Sequence, residues 1–399
     1  MTAIILRRPP ARQVGKTTLL RQAATLGLGA AASERKFVTL DDPLTLQLAR
    51  EDPGLFLQRF AAPVLIDEIQ YAPGLLSHIK MAVDANPGRG GQFWLSGSQP
   101  FHLMRGVSES LAGRVVLVEL QGLSRQEALG QGEHVRPFLP DVEQLLNAAD
   151  NPPLLAPALY EQIWRGSYPA IVTRPELDHD RFYASYVQTY LQRDLRDLAR
   201  VGDEMAFLRF LRAAAARTAG LVNLADMARD ADISPVTAKV WLSILQASGV
   251  VTLLEPWHTN VSKRLVKAPK LHFADTGLCA WLTGWTSPET LAAGAMAGPI
   301  LETWVVGEIL KTWKHNARSV QAYHLRDRDQ REIDLLLVRD GKAWPIEVKR
   351  SAAPTRQDAK HFGLLDQYGL QLATGAVVCL VPTPMPLTAN VWAVPVGAL

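Results

Sequence analysis

Two stretches of this 399-residue chain carry side chains suited to phosphate chemistry, one near each end. The first is Arg12-Gln13-Val14-Gly15-Lys16-Thr17-Thr18, placed between a short apolar strand at Ile4–Leu6 and a helix opening at Thr17. A loop in that position turns its N–H groups and the helix N-terminus toward an anion. The spacing predicts that Gln13, Val14, Gly15, Lys16, Thr17 and Thr18 cradle the phosphates of ATP. Lys16 neutralises the β- and γ-phosphates and the Thr17 hydroxyl ligates Mg²⁺. Pro10 stands where the full signature has glycine. It has no N–H to donate, so the loop entry must differ.

A second motif, Val64-Leu65-Ile66-Asp67-Glu68, strengthens this reading. An apolar strand ending in two carboxylates sets Asp67 at the carboxyl edge of a sheet, where nucleotides bind. Asp67 is expected to hold Mg²⁺ and Glu68 to orient the attacking water. Ser98, at the end of the next strand, is the candidate contact to the γ-phosphate, although Ser-Gly-Ser also makes ordinary turns. Arg114 is the candidate cation for transition-state charge, in cis or from a neighbouring copy in a homo-oligomer. A plain surface arginine is its alternative.

Near the other end stand Glu332-Ile333-Asp334 and Pro345-Ile346-Glu347-Val348-Lys349. Strand alternation sets Glu347 and Lys349 on one face, with Ile346 and Val348 toward the core. A turn at Asp340-Gly341 folds Asp334 back beside Glu347. Two carboxylates and a lysine at this spacing resemble the core of restriction-endonuclease-like nucleases. That resemblance implies metal ligation by Asp334 and Glu347, assistance from Lys349, and a helical ligand at Glu302, with Glu308 as the weaker choice. A polar strand face with an ordinary ion pair is the competing reading.

These residues need a scaffold, and the sequence outlines one. Residues 1–130 alternate short apolar strands with helices, which predicts a parallel sheet covered on both faces. Residues 131–204 read as a helical, proline-interrupted linker or lid. In it, Tyr183, Tyr186 and Tyr190 recur at helical spacing before Arg193, Asp194 and Arg196. Core or interface tyrosines are the main reading, and an aromatic, basic nucleic-acid surface the other. Residues 205–275 predict a winged-helix-like segment, with Asn223 as a cap and Ser234-Pro235 starting a helix. Thr237 and Lys239 lie on that helix. Lys263, Arg264, Lys267 and Lys270 are candidate phosphate contacts, and a purely structural role is the alternative. Residues 276–399 complete an α/β domain. The predicted fold class is therefore α/β: a P-loop NTPase sheet, a helical and winged-helix segment, then a restriction-endonuclease-like domain.

The ordered motifs identify a family resemblance. Arg12-Gln13-Val14-Gly15-Lys16-Thr17-Thr18-Leu19, Leu65-Ile66-Asp67-Glu68-Ile69-Gln70, Ser96-Gly97-Ser98 and Ser110-Leu111-Ala112-Gly113-Arg114 are similar to those of prokaryotic AAA-type ATPases. Gly166-Ser167-Tyr168-Pro169 and Tyr190-Leu191-Gln192-Arg193-Asp194 continue the likeness toward the C-terminal motif. The resemblance implies an ATPase joined to a C-terminal domain of uncharacterised function.

Composition excludes some classes. Only Cys279 and Cys379 are present, without close metal-type neighbours, so neither a disulfide framework nor a zinc site is expected. No apolar run approaches the ~20 residues that span a bilayer, and the N-terminus is too short in its apolar part for a signal peptide. A cytoplasmic protein without membrane partners is expected. The net charge of +3 is too small to argue for nucleic acid by itself. Residues 311–350, with ten Lys and Arg against six Asp and Glu, suit a phosphate backbone better. The leading expectation is an ATPase that acts on, or is switched by, nucleic acid, DNA foremost. The alternatives are a nucleotide-dependent DNA-binding regulator with an inactive nuclease-like domain, and an ATP-driven translocase or helicase.

Overall fold

A computed structural model describes residues 3–7, 15–25, 35–86, 89–97, 111, 113–147, 153–189, 203–257 and 268–399. Pro10, Gln13, Val14, Ser98, Tyr190, Arg193, Asp194, Arg196, Lys263, Arg264 and Lys267 lie outside the described residues. The chain divides into two compact units, Met1–Gln121 with Ala247–Val250, and Gly122–Gln246 with Val251–Leu399.

The first unit holds a five-stranded parallel sheet. Its strands are β1 (Ala3–Arg7), β2 (Lys36–Thr39), β3 (Val64–Asp67), β4 (Phe93–Gly97) and β5 (Val115–Glu119), in the order β2-β3-β4-β1-β5. Both β3 and β4 are buried along their whole length, as strands covered on two faces must be. Successive side chains therefore feed two different cores. Val64 and Ile66 pack with Leu40, Phe56, Ile79 and Leu95 on one side. Leu65 and Trp94 pack on the other against Leu20 of the helix Lys16–Thr25. The Arg35 guanidinium lies 4.0 Å above the Trp94 ring and donates to the Gly91 carbonyl at 2.8 Å. Helix starts follow local chemistry. Asp42 and Asp52 each cap a helix whose first residue is proline, accepting from Thr45 N and Leu55 N at 2.8 Å.

In the second unit the described strands are β6 (Gly220–Leu221), β7 (Val251–Pro256), β8 (Lys270–Phe273), β9 (Gln321–Arg326), β10 (Glu332–Arg339), β11 (Lys342–Val348), β12 (Gln371–Leu372), β13 (Gly375–Cys379), β14 (Met385–Thr388) and β15 (Val391–Pro395). They form one sheet in the order β14-β15-β13-β11-β10-β9-β7-β8-β6, with β12 added beside β11. The β10–β11 hairpin turns on Asp340-Gly341, both at positive φ (52° and 75°), the geometry of a two-residue type I′ turn. The helix Ala297–His315 precedes these strands.

Three helices, Glu204–Ala215, Leu224–Ala231 and Pro235–Ala247, come before β7. Asn223 caps the second, accepting from Ala225 N and Asp226 N. Ser234 Oγ accepts from Thr237 N at 3.0 Å and Pro235 takes the first helical position of the third. Tyr183 and Tyr186 are buried, and Tyr168 donates to Tyr186 Oη at 2.8 Å. These two tyrosines belong to the core, which removes them from any nucleic-acid surface.

Candidate functional site

In the first unit, alternation along β3 gives Asp67 the same side as Leu65, the side of the helix Lys16–Thr25. Alternation along β4 gives Ser96 the same side as Trp94. Register pairs Ile66 with Leu95, so Asp67 and Ser96 are neighbours at the carboxyl ends of adjacent strands. The consequence is a bridged carboxylate. Thr17 Oγ1 donates to Asp67 Oδ2 at 2.9 Å, and Ser96 Oγ donates to Asp67 Oδ1. Asp67 and Ser96 are both buried.

Lys16 is buried beside this carboxylate, with its Nζ 4.0 Å from Glu68 Oε1. Gly15 precedes it at φ 78°, a conformation that only glycine adopts cheaply. The helix opens there, with Leu19 N donating to Gly15 O at 2.8 Å. Glu68 itself is left-handed at φ 57°, uncommon for a side chain of its size. Its carboxylate accepts from Gln70 Nε2. Backbone strain of this kind gathers at functional positions. Thr18 is exposed on the first turn of the helix.

Lys16, Thr17, Asp67 and Glu68 are thus brought together. Arg114 is engaged elsewhere in this unit, its Nε donating to Asp84 Oδ1 at 2.5 Å at the end of the helix Leu75–Asp84. Ser96 joins them through Asp67, a role its motif does not announce. Period-two alternation from Trp94 is the signal that singles it out.

In the second unit the hairpin sets Asp334 opposite Glu347, since Leu335 pairs with Ile346. The β9–β10 ladder shifts register between Ile333 and Leu336, which gives Asp334 its own local direction. Asp334 Oδ2 accepts from Val348 N at 2.9 Å. Lys349 Nζ pairs with Glu347 Oε1 at 2.7 Å. Glu347 and Lys349 thus meet on one side of the chain, but that side is not a solvated face. Residues Ala343–Glu347 are all buried, because both faces of the sheet are covered.

Lys270 overturns a second expectation. It stands on β8 with 3% of its surface exposed, so it is no phosphate contact at the surface. Its Nζ lies 2.6 Å from Glu302 Oε1, 2.5 Å from Glu332 Oε1 and 3.3 Å from Asp334 Oδ1. Arg326 adds a further cation 3.4 Å from Glu332 Oε2. Glu308, the weaker choice beside Glu302, is occupied instead by Arg125 N at 2.8 Å and Lys311 Nζ at 2.8 Å.

The electrostatics follow from burial among like charges. Burial, and then Asp334, raise the Glu302 carboxyl well above the usual range against the pull of Lys270. Burial and Asp334 push the Glu347 carboxyl up to about 7. Burial alone would lower the Lys270 ammonium, but Glu302, Asp334 and Glu332 together hold it above the usual lysine range. Burial, followed by Lys270, pushes the His272 imidazole down to about 3.

Elsewhere in this unit, Asp275 gathers the Gly166-Ser167-Tyr168-Pro169 segment. Its carboxylate accepts from Ser167 N at 2.6 Å, Ser167 Oγ at 2.9 Å, Tyr183 Oη at 2.7 Å and Leu278 N at 2.7 Å. A separate cavity of about 190 Å³ is lined by Arg125, Arg165, Ser167, Thr303 and Lys311 among others. No helix among the described residues is long and apolar enough to cross a membrane.

Comparison with known proteins covers almost the whole chain in three pieces. A family described as an AAA domain matches residues 11–129. Residues 156–289 match a domain of unknown function, DUF8612, and residues 297–399 match another, DUF4143. Two uncharacterized relatives, Mb2031c of Mycobacterium bovis and Rv2008c of Mycobacterium tuberculosis, are each 32% identical over 387 residues. The match spans 96% of this chain and 78% of each relative. A crystal structure of protein VC1899 from Vibrio cholerae aligns over 97% of this chain and 90% of its own. Its identity is 15% and its TM-score 0.18, too low to argue a shared fold.

Proposed function

The chain belongs to an AAA-type ATPase family in which an AAA domain precedes a C-terminal DUF4143 domain, and from that premise we propose that it binds and hydrolyses ATP at Lys16, Thr17, Asp67 and Glu68. The observation that carries this reading is the bridged Asp67, whose two oxygens take the hydroxyls of Thr17 and Ser96. The oxygen donors of Thr17 and Asp67 suit Mg²⁺, a hard cation. They would hold it with the nucleotide, where it supplies charge neutralisation on the phosphate oxygens.

The chain's own groups account for the rest. The Lys16 ammonium leaves Glu68 for the β- and γ-phosphates and offsets their charge. Glu68 accepts a hydrogen bond from the attacking water and aligns its lone pair with the γ-phosphorus. The new P–O bond forms as the bond to the β-phosphate oxygen breaks, giving ADP and inorganic phosphate. Ser96 keeps Asp67 oriented and therefore acts as a positioning residue. Arg114 would contribute only by leaving Asp84, or by meeting a neighbouring copy.

ATP turnover with Lys16→Ala and Glu68→Gln tests the assignment. Both are expected to fall by about 100-fold or more, with ATP binding kept in Glu68→Gln. Full turnover by Lys16→Ala would reject it.

A second reading concerns residues 205–399. The three helices with antiparallel β6, β7 and β8 support a winged-helix-like segment. The helix Ala297–His315 followed by β9, β10 and β11, with Asp334, Glu347 and Lys349 adjacent, supports a restriction-endonuclease-like domain. On this reading ATP turnover is coupled to nucleic acid, and the engaged state of Glu302 and Asp334 favours binding over cleavage. Incubating DNA with Mg²⁺ or Mn²⁺, wild type against Lys349→Ala, separates the two. Cleavage that vanishes in Lys349→Ala would establish an active nuclease and reject the binding-only form.

A further inference from the structure

Two of the carboxylates that resemble a nuclease metal centre, Glu302 and Asp334, do not fit a resident metal, because a lysine stands between them. A divalent cation needs oxygens at about 2.0–2.6 Å around it. Lys270 Nζ already lies 2.5–3.3 Å from Glu332, Glu302 and Asp334. Among the described residues no group of three or more His, Cys, Asp or Glu is arranged to hold a metal ion.

The ammonium is built into the fold rather than draped over it. Lys270 opens β8, a strand buried along its length and paired with β6 and β7. His272 follows two residues later, on the same side by strand alternation. It is 2% exposed, and its Nδ1 meets Thr303 Oγ1 at 3.3 Å. Its Nε2 has no hydrogen-bond partner and lies 3.9 Å from Glu302 Oε1.

We propose that Lys270 is the resident cation of this pocket, standing in for a divalent metal and keeping the domain metal-free. With the ammonium removed, His272, Glu302, Glu332 and Asp334 are not yet arranged as ligands and must shift toward an ion to form a one-nitrogen, three-carboxylate site. That mixed donor set suits a divalent first-row ion such as Mn²⁺. The inference rests on these distances. It requires neither the ATPase reading nor the nuclease-like one.

The test is Mn²⁺ binding without nucleotide, followed by electron paramagnetic resonance of the free ion and by thermal denaturation. Every protein carries Asp67→Asn, so that the other unit's carboxylate does not contribute. The reference protein is expected to take up no Mn²⁺ at a saturable site. Adding Lys270→Met should create one saturable site, so that at a fixed Mn²⁺ concentration bound ion rises at least about tenfold over the reference's nonspecific background. Its melting temperature should fall in chelator and recover with Mn²⁺. Adding Glu302→Gln to Lys270→Met should abolish the gain. Equal Mn²⁺ affinity with and without Lys270, or no gain in the folded Lys270→Met protein, would overturn the proposal. If Lys270→Met does not fold, Lys270→Met with Glu332→Gln carries less uncompensated charge and is judged by the same gain of Mn²⁺ binding.

Discussion

Thr17 Oγ1 and Asp67 Oδ2 are 2.9 Å apart although 50 residues separate them in the chain. The contact ties the first turn of a helix to the end of β3, so helix position and carboxylate orientation are set together. Ser96 completes the arrangement from β4.

Removing the Ser96 hydroxyl should therefore be felt at the nucleotide. Ser96→Ala leaves a buried carboxylate oxygen short of a donor, at a cost of about 1–3 kcal/mol. Turnover should need more Mg²⁺ to reach its maximum, while Ser96→Thr recovers part of the loss. Denaturant titration and the Mg²⁺ dependence of ATPase activity measure the two effects. Wild-type behaviour of Ser96→Ala in both would remove Ser96 from the site.

Asp275 accepts four hydrogen bonds while almost fully buried. Asp275→Ala strands their donors and is expected to destabilise the second unit by about 3 kcal/mol or more. Urea unfolding followed by tryptophan fluorescence would read the shift. A change below about 0.5 kcal/mol would mean that the network contributes little.

The Lys349–Glu347 pair offers a contrast. Lys349 keeps 37% of its side chain exposed but Glu347 only 11%, so Lys349→Ala leaves a mostly buried carboxylate without its cation and is expected to cost about 1 kcal/mol. Loss of DNA binding is therefore read against Lys349→Arg, which keeps the charge beside Glu347. A large drop in melting temperature would show that the pair is structural.

His179 gives the second unit a pH dependence. Its ring stacks on Trp164 with centroids 3.8 Å apart, and its Nε2 meets the Trp164 carbonyl at 2.8 Å. Burial first, outweighing that carbonyl, lowers its pKa below the usual histidine range. The unfolded chain therefore takes up the proton more readily. The stability that His179 contributes is present above about pH 6.5 and is lost as acid lowers the pH through the folded pKa. Melting temperature against pH should fall less steeply on the acid side for His179→Gln. Parallel curves would assign the acid loss to other groups.

How much of this was legible in the sequence depended on distance along the chain. Local chemistry read well. Ser234-Pro235 starts a helix, Asn223 caps one, Asp340-Gly341 closes a hairpin, and Val64–Asp67 is a strand. Period-two and capping rules need only a few residues. Contacts between distant residues did not read. Lys270 was grouped with surface lysines because nothing near it announces Glu302, 32 positions later, or Glu332. On β11 strand alternation predicts Ile346 and Val348 toward the core with Glu347 and Lys349 opposite, yet Ala343–Glu347 are all buried, and coverage of the second face depends on residues distant in the chain. The Ser96–Asp67 contact is only half legible, since it depends on which side of β4 the helix Lys16–Thr25 covers.

Gly166 and Gly277 both lie against the Tyr183 hydroxyl, and that closeness has a mechanical consequence. A methyl group on Gly166 would come within 2.7 Å of Asp275 Oδ1, and one on Gly277 within 2.6 Å of the Arg165 carbonyl. The nearest atom to either methyl group would be the buried Tyr183 hydroxyl, which lies 2.8 Å from the Arg165 carbonyl and 2.7 Å from Asp275 Oδ1 and so joins the end of the helix Ala156–Arg165 to the cap of the helix Thr276–Leu282. A side chain at either glycine would have to evict that hydroxyl, so the seam between the two helices tolerates nothing larger than hydrogen.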